Sequence, residues 1–162
     1  MNHSDFIASA ALVVAILAMT ATFWQAHVAR AHNRVSVRPH LDWGTGKYPD
    51  TPVILYLFNN GLGPAIIDSL TLTLDGKRFP IENFELPPEI YDEAMKVNGF
   101  IKWNLFSKGT PIANGTQIDL LIFENSPNSI ASHNEAIKLL NRIGLEVRYS
   151  SMYKEKFSLN KS

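Results

Sequence analysis

Residues 65–81 read AIIDSLTLTLDGKRFPI. Side chains alternate with period two: Ile66, Leu70, Leu72 and Leu74 fall on one face, Ile67, Ser69, Thr71 and Thr73 on the other. Asp75-Gly76 then offers two residues that tolerate positive φ, the signature of a two-residue type I′ turn. KRFPI returns with Phe79 and Ile81, so an antiparallel hairpin is expected here and the fold around it should be mainly β.

Working outward, the same period recurs. VILYLF (53–58) is an apolar run bounded by Pro52 and Asn59 and reads as a central strand buried on both faces. IDLLIF (118–123) is another strand. LEVRY (145–149) points Leu145, Val147 and Tyr149 inward, and a turn near Ser150-Ser151 leads to YKEKFSL with Tyr153, Phe157 and Leu159. SVRPHLDW (36–43) is read as the first strand, Pro39 marking an edge. Two helices interrupt the strands. Pro88 and Glu89 open one that runs to about Val97, because proline suits the first helical position and an acid suits the first turn. Ser132-His-Asn-Glu135 has capping-box spacing, Ile137, Leu140 and Ile143 give an apolar stripe, and Gly144 reads as a stop. The expected fold class is mainly β: an N-terminal transmembrane helix, then an immunoglobulin-like β-sandwich with two short helical insertions. A small closed barrel is the rival.

Upstream the period changes to 3.6. FIASAALVVAILAMTATFW (6–24) is 19 residues without a charge. At 1.5 Å per residue it spans roughly 28 Å, close to the ~30 Å hydrocarbon core, and Phe23 and Trp24 end it with rings that favour the interface. A cleaved signal peptide would need a positive n-region and a shorter apolar core, whereas His3 and Asp5 precede this run. The boundaries are therefore a tail at 1–5, a transmembrane helix at 6–25, a basic juxtamembrane helix at 26–35 and a β domain at 36–162, with no flexible linker to hold that domain far from the bilayer.

Charge gives the run a direction. Residues 1–5 hold no Lys or Arg, while Arg30, Arg34 and Arg38 follow the span within fifteen residues. Cations are retained on the cytoplasmic side, so the N-terminus is expected outside and the domain in the cytoplasm of a bacterial inner membrane. Arg30 and Arg34 share a helix face, and the three arginines are candidates for lipid or partner contact. From Asp42 onward there are 12 Lys/Arg against 14 Asp/Glu, which argues against a nucleic-acid-binding domain. With no cysteine, disulfides, Cys-ligated zinc and thiol chemistry are excluded. Within the span Ala8, Ala11, Ala15, Ala18 and Thr22, continued by Gln25 and Ala29, repeat at 3,4 spacing. Such a small-residue seam lets helix backbones approach in lipid, against a second copy or a partner membrane protein.

Chemistry-bearing motifs are weak. Gly61 and Gly63 partly resemble a phosphate turn, but a period-2 strand follows where a dinucleotide loop needs a helix. Gly61, Gly63 and Pro64 are read as a structural turn, the glycines at φ > 0 and Pro64 setting the exit. His27, His32, His40 and Asp42 lack metal-ligand spacing, and His133 reads as an exposed polar residue. Glu85, Glu89, Asp92 and Glu93 fit no calcium loop and read as a solvated helix start. Tyr91, Phe100, Trp103 and Phe106 are either core or an exposed patch, with core preferred. No catalytic, cofactor-binding or metal residue is assigned, and no cofactor is expected.

HNRVSVRPHLDW (32–43) followed by NNGLGPAIIDSLTLTLDG (59–76) resembles a group of small, uncharacterised bacterial single-pass membrane proteins with an HNR-x-SVRPHL-like junction and an NNGLGPAII turn. The resemblance covers roughly residues 20–76 and implies an inner-membrane address without an activity. The function expected is a membrane-anchored interaction or scaffold protein. The alternatives are a tethered ligand or lipid sensor, or an enzyme whose site is assembled from scattered residues.

Overall fold

A computed structural model describes residues 2–48, 51–97, 100–124 and 130–161, without the side chains of residues 100 and 130–132. The chain divides into two units, Met1–Ser36 and Val37–Ser162. The first is one continuous helix, α1 (His3–Ser36), none of whose residues is buried. The stretches read as span and juxtamembrane segment are thus a single helix.

The second unit runs β1 (Leu41–Gly46), β2 (Val53–Asn59), β3 (Ala65–Leu74), β4 (Lys77–Ile81), α2 (Pro88–Met95), β5 (Phe100–Trp103), β6 (Pro111–Ile112), β7 (Gln117–Glu124), α3 (Ile130–Arg142), β8 (Ile143–Ser150) and β9 (Lys156–Lys161). Two sheets form, β1-β2-β7-β5 and β4-β3-β8-β9, with β6 paired to β3. Every pairing is antiparallel. Both sheets and both short helices contribute to one core, in which Leu55, Leu57, Ile67, Leu72, Leu140 and Val147 are fully buried. This is the mainly β sandwich with two helical insertions that the sequence implies. No ladder joins the two sheets among the described residues, which sets the closed barrel aside.

The quoted hairpin forms as expected. Leu74 pairs with Lys77 across a two-residue turn whose Asp75 and Gly76 have φ of 50° and 85°. Its facing does not hold throughout. The β3–β8 register shifts between Ile67 and Ser69, a bulge at Asp68, so Ile67 joins Leu70, Leu72 and Leu74 in the core while Ile66 turns partly outward. A second shift, between Leu55 and Tyr56 of β2, lets consecutive Leu120 and Leu121 both be buried. β2 is central, but only its Val53, Leu55, Leu57 and Asn59 face is fully buried; Ile54, Tyr56 and Phe58 stay half-exposed.

Other expectations need correction. Strand β1 begins at Leu41 rather than residue 36, because Pro39 has no N–H to donate and the Arg38 and His40 carbonyls are taken by the Leu62 and Asn60 amides at 3.0 and 2.8 Å. Helix α3 begins at Ile130, so Ser132 is its third residue rather than its cap; the Ser132 side chain lies outside those described. Gly144 does not stop that helix. It lies inside β8 opposite Thr73, where a Cβ would fall 2.2 Å from the Thr73 hydroxyl. Tyr153 stays exposed, while Phe157 and Leu159 pack partly on the core. Leu145, Val147 and Tyr149 point inward as expected.

The strand registers define two ends of the sandwich. The near end, where the chain arrives through Val37–His40, gathers the loops at residues 60–64, 113–116 and 151–155. The far end carries the Asp75-Gly76 turn and the end of α3 at Arg142.

Candidate functional site

The near end is organised by Asn59, which has no exposed surface. Its side-chain amide nitrogen donates to the Gly63 and Ile112 carbonyls at 2.9 and 3.0 Å. Its Oδ1 accepts from the Gly61 amide at 3.0 Å and the His40 amide at 3.3 Å. One side chain thus ties the 37–40 segment, the NNGLGP loop and β6, satisfying four backbone groups. It is placed there by β2: the alternation that buries Val53, Leu55 and Leu57 carries on to residue 59.

Gly61 and Gly63 are needed for a reason other than the one expected. Neither has positive φ; among the described glycines that conformation occurs at Gly76, Gly109 and Gly115. A Cβ on Gly61 would lie 2.2 Å from the His40 nitrogen, and one on Gly63 1.9 Å from the Val37 carbonyl oxygen. The glycines permit backbone to lie directly on backbone. The junction and the turn that carry the sequence resemblance are therefore in direct contact.

A stack pins the same segment to the second sheet. The Arg38 guanidinium sits 4.8 Å from the Phe157 ring centroid, Phe157 stacks on Tyr149 at 5.4 Å, and the Tyr149 hydroxyl accepts from the Leu41 amide at 3.2 Å. Beside Phe157 opens a groove of about 520 Å³, lined by Asp68, Ser69, Lys108, Arg148, Lys156 and Ser158. Asp68 is placed there by the bulge in β3.

The far end is a cluster of ion pairs. Arg142 binds Asp75 through Nη2 at 2.6 Å and Nε at 3.0 Å, and Glu93 through Nη1 at 2.7 Å; Glu93 also pairs with Lys96. These bonds hold the Asp75 and Glu93 carboxyls below their ordinary values and raise Arg142. Glu89 is lowered first by its bond from Lys77, at 2.7 Å. Exposed as they are, these pairs contribute little to stability. The acids of the solvated helix start are thus partly engaged: Glu89 and Glu93 are paired, while Glu85 and Asp92 face water.

Among the described residues Lys161 is the one buried cation. Its ammonium donates to the Leu140 carbonyl at 3.1 Å and to the Ile143 carbonyl, and lies 5.4 Å from the Trp43 ring centroid. It therefore caps the end of α3 from the last strand. Burial, with Lys47 nearby, pushes its pKa below the ordinary lysine value. Lys161→Met removes the cap and strands two carbonyls; it is expected to cost about 2 kcal/mol, read as a lowered thermal midpoint of the β domain.

The other expected residues are dispersed. Phe106 is core, whereas Tyr91 and Trp103 form an exposed edge-to-face pair at 6.2 Å; the Phe100 side chain lies outside the described residues. Trp103 donates its indole N–H to the Phe84 carbonyl at 3.2 Å. His133 is half-buried on α3. No group of three or more His, Asp or Glu is placed to hold a metal ion among the described residues. On α1 the helix is continuous through Ala8, Ala11, Ala15, Ala18 and Thr22, so their spacing puts them on one face; the Thr22 hydroxyl donates to the Ala18 carbonyl at 2.8 Å. Arg30 and Arg34 lie on its exposed last turns, and Arg38 opens the β unit. By sequence Asn59 reads only as a strand boundary and Phe157 only as an apolar strand residue, and Lys161 carries no signal. A polar residue continuing the buried parity of an apolar strand is the signal that marks Asn59.

No protein-family model matches the chain, and no curated protein matches it. Among solved structures it is similar to the archaellum periplasmic stator protein FlaG from Sulfolobus acidocaldarius, at 12% identity and a TM-score of 0.33, over 76% of this chain and 100% of that one.

Proposed function

We propose that the protein is a membrane-anchored interaction or scaffold module: α1 spans the bilayer once and presents the β domain on a short tether. The observation that carries this reading is the 34-residue helix, apolar enough to cross a membrane and with no buried residue, followed after only Val37–His40 by a domain with its own core. A core helix of a water-soluble protein would bury such a stripe. The arginines after the span favour the domain in the cytoplasm of a bacterial inner membrane.

The anchor is tested by alkaline carbonate extraction, in which the full chain is expected to stay with the membrane pellet. Orientation is tested by protease digestion: the β domain should be cut in inside-out vesicles and protected in spheroplasts, and the reverse pattern refutes the assignment. Association through Ala8, Ala11, Ala15, Ala18 and Thr22 is read by disulfide trapping, since the chain has no cysteine of its own. Ala15→Cys is expected to cross-link in membranes and Leu17→Cys, about 200° round the helix, is not. Ala11→Leu with Ala15→Leu should bring a membrane-dimerisation reporter to background; unchanged association rules the seam out.

A further inference from the structure

Charge is distributed unequally between the two ends of the β domain. Toward the far end and along the sheet faces, Lys77, Arg78, Lys96, Lys102, Arg142 and Arg148 are in ion pairs and Lys47 donates to Asn141 at 2.8 Å, while Lys138 is exposed and in no ion pair among the described residues. At the near end Arg38, Lys108, Lys154 and Lys156 are exposed and in no ion pair among the described residues. The acids nearby are occupied locally or few: Glu155 and Asp68 lie within reach of the Ser151 and Ser150 hydroxyls at 3.5 and 3.4 Å, and Asp42 accepts from the Trp43 amide.

Large apolar side chains stand among these cations. Leu62, Met152 and Tyr153 are 67%, 64% and 49% exposed. Their loops are built rather than slack. The Ser151 hydroxyl accepts from the Tyr153 and Glu155 amides at 3.2 and 3.3 Å, the Ser151 amide donates to the Glu155 carbonyl at 2.9 Å, and Lys154 is held at a φ of 63°. Leu62 is fixed by the hydrogen bond its backbone N–H donates to the Arg38 carbonyl, in the loop that Asn59 anchors. A loop that satisfies its own backbone and still turns two large apolar side chains outward is shaped to meet an apolar phase.

We propose that this near-end rim docks on an anionic bilayer surface, Leu62, Met152 and Tyr153 entering the headgroup boundary and Arg38, Lys108, Lys154 and Lys156 contacting lipid phosphates. The inference rests on the anchored reading above: residues 26–36 carry the helix about 16 Å past the apolar run, and Val37–His40, at about 3.3 Å per residue, are long enough to return this end of the domain to lipid. Interleaved apolar tips and cations are the composition that surface-seated segments use. The groove beside Phe157 has Lys108 and Lys156 on its walls, with Asp68 and the Glu146-paired Arg148, so its two unpaired ammonium groups give a headgroup phosphate a place to sit.

The test uses the full chain carrying a nitroxide on Met152→Cys, or on Tyr48→Cys as a far-end control that is also well exposed. In vesicles rich in phosphatidylglycerol, the label at 152 should lose several-fold of its accessibility to a water-soluble nickel chelate and gain accessibility to oxygen, while the label at 48 does not. Lys154→Glu with Lys156→Glu, high salt, or pure phosphatidylcholine should each reverse the shielding. A label at 152 as open to nickel as the one at 48 overturns the proposal. Shielding that persists in neutral detergent overturns it too, identifying a second copy of the chain as the occupant. Carbonate extraction of the same vesicles separates the two readings: chain lost to the wash refutes the span, whatever the label at 152 reports about the rim.

Discussion

Asn59→Ala is expected to destabilise the β domain by about 4 kcal/mol, a large part of the 5–15 kcal/mol that holds a domain of this size together. The substitution removes two donors and one doubly used acceptor from a position with no exposed surface. It leaves the Gly63 and Ile112 carbonyls and the Gly61 and His40 amides without this partner. Each stranded buried group costs on the order of 1–3 kcal/mol, and the loops recover part of the total by admitting water. Asn59→Asp should be at least as damaging, because it gives up both donors and places a charge where nothing compensates it. Asn60→Ala, at the next and exposed position, should stay within about 0.5 kcal/mol. Thermal unfolding of the full chain in nanodiscs, followed by near-UV circular dichroism, compares the three. An Asn59→Ala midpoint within a degree or two of the parent would refute the assigned role.

The second large effect is expected at Gly63. Gly63→Ala places a Cβ 1.9 Å from the Val37 carbonyl oxygen, and Gly61→Ala places one 2.2 Å from the His40 nitrogen. The obstacle in both cases is backbone, which cannot swing aside as a side chain can. Overpacking of this kind costs about 3 kcal/mol. Gly76→Ala is the informative contrast. Gly76 has a φ of 85° and nothing within 4 Å, so its penalty is conformational alone, about 1 kcal/mol. If Gly61 and Gly63 were ordinary turn glycines, all three variants would lose similar stability. The structure requires the ranking Gly63 and Gly61 well above Gly76, measured by the same unfolding experiment. Because residues 37–40 connect the two units, these variants should also raise proteolysis near Arg38, a readout that Gly76→Ala should not change.

Much of the architecture is legible locally. Period two marks β2, β3, β7 and β8, Asp75-Gly76 marks the hairpin, and Pro88 with Glu89 marks α2, because each of these choices is made within a few residues of chain. Facing fails at Ile66 and Ile67, since a bulge shifts parity by one and leaves no trace in composition. The start of β1 fails for a related reason: the carbonyls of Arg38 and His40 are claimed by Leu62 and Asn60, more than twenty residues away. The candidate surface was half legible. The arginine count singled out Arg38, but Lys108 comes from the loop before β6 and Lys154 and Lys156 from the turn into β9, and only the fold brings these segments together.

From the amino-acid order alone come a helix long and apolar enough for a bilayer, a basic flank behind it, and a mainly β domain that follows without a linker; each depends on hydrophobic period and charge over short stretches. Only the tertiary structure decides that Asn59 holds three segments together, that Gly61 and Gly63 are there for space rather than for φ, that Lys161 closes α3, and that cations in no ion pair among the described residues gather with Leu62, Met152 and Tyr153 at one end. Those are facts about distance between residues remote in the chain. Hydrogen bonding, steric exclusion and charge pairing act through space, so no window of sequence contains them.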